Sequence, residues 1–161
     1  MKIQSYIFLF LLAIFTTLLD TSFFSNLSFF GATILSTLSI LIVLSILERT
    51  RASYLFAAFA TLCYATFSSL SVYLLTILFL GIPFGIAYLK SKLLIEFNLL
   101  LSIFVILIAE FIFILVATAF GGGLTLAILK YIASFMTINT LTTIIVFVLG
   151  KKLLLGGARG K

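Results

Sequence analysis

Nine of the ten basic residues in this chain fall on alternate connections between long apolar runs or at the chain ends beside them. Lys2 precedes the first run, Arg49 and Arg51 follow the second, and Lys90 and Lys92 follow the fourth. Lys151, Lys152, Arg159 and Lys161 follow the sixth. The connections near residues 20–30, 70–72 and 120–124 carry no Lys or Arg, and the one remaining base, Lys130, lies inside a run. Basic residues are retained on the cytoplasmic side during membrane insertion, so this bias reports orientation. It predicts an all-α membrane protein: a polytopic bundle of about six transmembrane helices, N-in and C-in.

Composition leads to the same class. Apolar residues make up 64% and charged residues 9% of the 161 positions, against about 45–50% and about 25% in soluble domains. A soluble fold of this length has too little interior for so much apolar surface. The net charge of +6 therefore sets topology and meets anionic headgroups; it does not mark a nucleic-acid partner. No loop carries a cluster of four or more bases that would suggest a dedicated lipid-binding site.

The chain has no His and a single Cys, Cys63. His-based metal sites, haem ligation and imidazole catalysis are excluded, as is an intrachain disulfide. Catalytic, cofactor-binding and metal-ligating residues are accordingly expected to be absent, and the protein is expected not to be an enzyme. Cys63, inside an apolar run, is expected to be a silent packing residue.

A bilayer crossing needs about 20 apolar residues. The runs predict one transmembrane domain over 1–161, with spans at about 3–19, 31–47, 52–70, 71–89, 98–120 and 124–150 and a cytoplasmic tail at 151–161. The first run lacks a small-x-small cleavage site and is followed by further spans, so it is read as a helix that stays. The segment DTSFFSNLSFF after it suits an outer interfacial loop or a short re-entrant segment. Runs three and four are nearly continuous, broken by Ser68, Ser69 and Ser71, and predict a tight hairpin. Gly121, Gly122 and Gly123 turn run five into run six.

Candidate functional residues are few. Glu110 and Lys130 are the ionisable groups inside spans, and intramembrane charges mark function by default. Helical rise puts them within about one turn in depth on neighbouring antiparallel helices, which predicts an ion pair. The alternative has Lys130 snorkelling outward and Glu110 satisfied by Ser or Thr hydroxyls. Gly81, Pro83 and Gly85 interrupt run four and predict a kink. Ala57, Thr61 and Ala65 recur every fourth residue and form a small-residue packing face, for intrachain contacts or for a partner. Tyr64 falls mid-span, so its hydroxyl needs a partner.

From Leu18 to Lys92 the chain resembles the rod shape-determining protein MreD family. The resemblance rests on Leu18-Leu19-Asp20-Thr21-Ser22-Phe23-Phe24 as the first outer loop, then an apolar helix and a short basic loop. A third helix follows and turns at Phe67-Ser68-Ser69 into a fourth containing Gly81 and Gly85. Where that family usually has glycines and an Asp in the third helix, this chain has Ala57 and Ala58, with Tyr64 or Ala65 near the Asp position. The resemblance implies a non-enzymatic scaffold of the cell-elongation machinery in the plasma (inner) membrane, working with membrane lipid and an MreC-like membrane partner. A small-solute transporter component of the energy-coupling factor type is the competing reading. Its Ala-rich first helix is not matched by YIFLFLLAIFTTLL. An accessory subunit of another membrane complex is a third.

Overall fold

The computed structural model describes residues 3–28, 31–47, 50–67, 71–93, 99–121 and 126–156. Among these there are six α-helices and no strand: α1 (Ile3–Leu18), α2 (Ser36–Ile46), α3 (Thr50–Phe67), α4 (Val72–Leu93), α5 (Leu99–Gly121) and α6 (Leu126–Gly156). Continuous apolar runs become helices because a helix satisfies its own backbone where no water is at hand. Four helical stretches are long and apolar enough to cross a membrane: Ile3–Asn26, Val72–Lys92, Leu100–Phe120 and Leu129–Lys152.

The organising element is the shortest helix. α2 packs against each of the other five helices. Eight of its 11 residues are buried, including Leu38, Leu41, Ile42 and Ile46, as expected for a helix apolar on every side. α1 packs on α3, α3 on α4 and α5 on α6, with α4 meeting α5 over a shorter contact. The bundle therefore wraps around α2. At its C-terminal end α2 lies close to α6: a Cβ placed on Gly150 would come within 3.4 Å of Leu47 Cδ1. A chain of ring contacts ties the outer helices together, from Tyr64 (α3) to Phe79 (α4), Phe113 (α5) and Phe135 (α6), at 5.3, 6.1 and 6.2 Å.

Several expected boundaries move. The segment after the first run is not a loop throughout: a π-type turn at Leu19–Phe23 and a 3₁₀ turn at Phe24–Asn26 continue α1. The second run does not form a 17-residue span. Gly31, at a φ of 85°, and the residues after it are non-helical, and α2 begins only at Ser36. At about 1.5 Å per residue its 11 residues cover about 16 Å, half a hydrocarbon core. α6 does not stop at Gly150 but runs through Lys151 and Lys152 to Gly156, because neither Lys nor Leu opposes helix continuation. Pro83 lies inside an unbroken α4. The turns expected at Ser68, Ser69 and Ser71 and at Gly121 to Gly123 fall largely outside the described residues, and Gly121 is still part of α5.

Candidate functional site

Starting a helix in the middle of a bundle exposes its first amide groups to an apolar interior. The initial N–H groups have no intrahelical acceptor. The residue at the cap position of α2 is Leu35, which offers no side-chain acceptor. Two side chains from elsewhere supply what it lacks. Asp20, in the π-type turn after α1, accepts from Ser36 N through Oδ1 at 2.7 Å and from Thr37 N through Oδ2 at 3.0 Å. Asn139, on α6, accepts from Leu35 N at 2.7 Å and donates to the Thr33 carbonyl at 3.1 Å. Its amide also reaches the Phe135 carbonyl at 3.0 Å.

Asp20 is completed by two hydroxyls. Ser36 Oγ donates to Oδ1 at 2.6 Å, and Tyr64 Oη donates to Oδ2 at 2.6 Å. Each carboxylate oxygen thus receives one backbone amide and one hydroxyl, and the residue is only 4% exposed. Hydrogen bonds to a charged acceptor are the strong ones, and the α2 N-terminus presents the positive end of its dipole to this carboxylate. Asp20 is therefore a saturated cap, with four donors holding it in place.

Glu110 forms the second polar centre and is fully buried. Thr143 Oγ1 lies 2.7 Å from its Oε1, and Thr140 Oγ1 lies 2.6 Å from its Oε2. Thr143 Oγ1 is also 2.9 Å from Ser39 Oγ. One hydroxyl carries one proton: Ser39 donates to the Leu35 carbonyl at 3.2 Å, and Thr143 donates to Glu110 or to Ser39. Most Ser and Thr in these helices bond a carbonyl of the preceding turn, as Thr137 and Thr142 do. Thr140 and Thr143 turn to Glu110 instead. Phe135, Asn139, Thr143 and Phe147 recur every fourth residue and are all buried, so one stripe of α6 carries both polar contacts to the α2 side.

The predicted partners separate. Lys130 is exposed, and Thr140, the residue that meets Glu110, is ten positions further along α6, about 15 Å by helical rise. Glu110 and Lys130 are thus not a pair; hydroxyls satisfy Glu110, and Lys130 faces outward. Ala57 and Thr61 are buried inside the bundle and Ala65 is half-buried, so the small-residue face serves intrachain packing. Pro83 is buried, whereas Gly81 and Gly85 line an apolar cleft between α4 and α5. Cys63 is buried and free.

Two residues that matter here escape a reading of the sequence. Asp20 looks like the polar end of a run, and Asn139 looks like one polar residue among many in α6. The available signal is the run Thr137, Asn139, Thr140, Thr142 and Thr143 inside an otherwise apolar helix. No protein-family model matches this chain, and no curated protein or solved structure matches it either.

Proposed function

We propose that this protein is a six-span scaffold of the inner membrane, with both ends cytoplasmic, that serves the cell-elongation machinery by docking membrane partners, among them an MreC-like protein. The orientation rests on the distribution of the bases, and the cellular role rests on the resemblance of Leu18 to Lys92 to the MreD family.

One observation carries the scaffold reading over transport. Asp20 is engaged by four internal donors, and Glu110 is engaged by two hydroxyls from α6. Both carboxyl groups are used to fix α2 and its neighbours. A solute carrier needs polar groups that exchange partners as it cycles between open states. Here the polar groups hold helices in register, which suits a rigid body that presents outer faces. α1 offers such a face, with Ile7, Phe8, Leu11 and Phe15 all exposed.

Depletion in a rod-shaped host tests the role. The expected result is rounded cells with unchanged uptake of vitamins and ions, and crosslinking in native membranes to a bitopic partner with a periplasmic coiled coil. Unchanged morphology together with a specific uptake defect would overturn the scaffold reading in favour of a transporter component.

A further inference from the structure

The α4–α5 contact leaves a cleft of about 250 Å³ that opens to the outside of the bundle. Gly81, Gly85 and Leu89 form its α4 wall, and Val105, Ala109 and Ile112 its α5 wall. The glycines make the depth: a Cβ added at Gly81 or Gly85 meets nothing within 4 Å. On α4 the lining runs from Ile77 to Leu89, about 18 Å by helical rise, close to the roughly 15 Å of one leaflet's hydrocarbon.

The chemistry changes abruptly at one end. Leu89 is followed by Lys90 and by Lys92, which is exposed. Tyr88, 54% exposed and stacked on Phe84 at 6.5 Å, is placed as an interfacial anchor, its ring against hydrocarbon and its hydroxyl toward water. Lys92, three residues past Leu89, falls by helical periodicity on the α4 face that lines the groove, so a base stands just past the groove's end on the side read as cytoplasmic.

We infer that this groove holds one acyl chain of an anionic phospholipid from the cytoplasmic leaflet, with Lys92 at its phosphate. The lining is apolar from end to end and about one leaflet long, with a base just past one end, the layout of an acyl chain below a charged headgroup. Charge selects the headgroup, since bases between helices at the cytoplasmic face favour anionic lipid. One base in the last turn of α4 is too little for a headgroup site by itself; the groove adds a fixed position for the tail. The inference rests on the proposed orientation but not on the cell-shape role, so either can fail without the other.

Native mass spectrometry of the delipidated full chain, with phosphatidylglycerol and phosphatidylcholine added in turn, reads the occupancy. One phosphatidylglycerol should be retained per chain, in preference to phosphatidylcholine by at least about fivefold, the effect of a single Lys near an anionic surface. Lys92→Gln should abolish the preference, and Gly85→Leu should remove both adducts. Equal retention of the two lipids by the unaltered chain would overturn the inference. So would undiminished retention in Gly85→Leu at an unchanged melting temperature, or a dimer that Gly85→Leu abolishes, which would make a second copy the occupant. Should Gly85→Leu fail to fold, phosphatidylglycerol with a photoreactive tail decides the matter on the unaltered chain. Adducts at Val105 or Ala109 support the groove, and adducts confined to other helices refute it.

Discussion

Tyr64 donates its hydroxyl to Asp20 across 44 residues of sequence, at 2.6 Å, while the same carboxylate holds the first two amides of α2. α1, α2 and α3 are thereby joined at one group. The consequence is that a helix only 11 residues long begins inside the bundle with the amides of Leu35, Ser36 and Thr37 each paired. Non-helical backbone at membrane depth is tolerated only where protein groups satisfy it, and the segment before α2 meets that condition through Asp20 and Asn139.

Asp20→Ala should destabilise the protein more than any other single substitution near the cap. It strands two amides and two hydroxyls, each costing about 1–3 kcal/mol when buried without a partner. Tyr64→Phe removes one donor to a charged group and should cost about 1.5–3 kcal/mol. Asp20→Asn should fall between them, because its amide turns a donor toward donors. Thermal unfolding in detergent gives the ranking; a melting temperature for Asp20→Ala equal to that of Tyr64→Phe would contradict the cap.

Asn139 acts on the same segment from the opposite side. Asn139→Ala should leave the helical content nearly unchanged but speed hydrogen exchange at Leu35, since that amide loses its acceptor. Ser36 and Thr37, held by Asp20, should respond less. Uniform acceleration along α2 would mean that Asn139 supports packing in general and not the cap.

Glu110 should couple to Thr143 and not to Lys130. In a double-mutant cycle of Glu110→Gln and Thr143→Val, residues in contact are expected to show an interaction of about 0.5–3 kcal/mol. The cycle with Lys130→Met should be additive within about 0.5 kcal/mol, the result for sites well separated. A large coupling between Glu110 and Lys130 would show that α6 is rotated or shifted relative to the arrangement described here.

Accessibility tests the orientation. On a Cys63→Ser background, cysteines at Arg51, Ser91 and Lys161 should be protected from a polar maleimide outside intact cells, and cysteines at Ser25, Ser69 and Gly122 should react. Cys63 itself, buried in α3, should react slowly, because a polar reagent does not reach a buried side chain. External labelling of Ser91→Cys would remove the six-span arrangement.

The sequence by itself determined the class and most of the helices. Hydropathy is a local property summed along the chain, so α1, α4 and α5 fall within a few residues of the apolar runs that announce them. Tertiary structure decided what the polar residues do. The second run is apolar enough for a span from Gly31, yet α2 starts at Ser36. Asp20 and Asn139 hold its opening amides from 16 and 104 residues away, and no local pattern contains those separations. Depth arithmetic brought Glu110 level with Lys130, whereas the packing of α5 on α6 sets it against Thr140 and Thr143. The register and rotation of one helix on another depend on side-chain packing along the whole contact. That is why the charges could be found in the sequence but their partners could not.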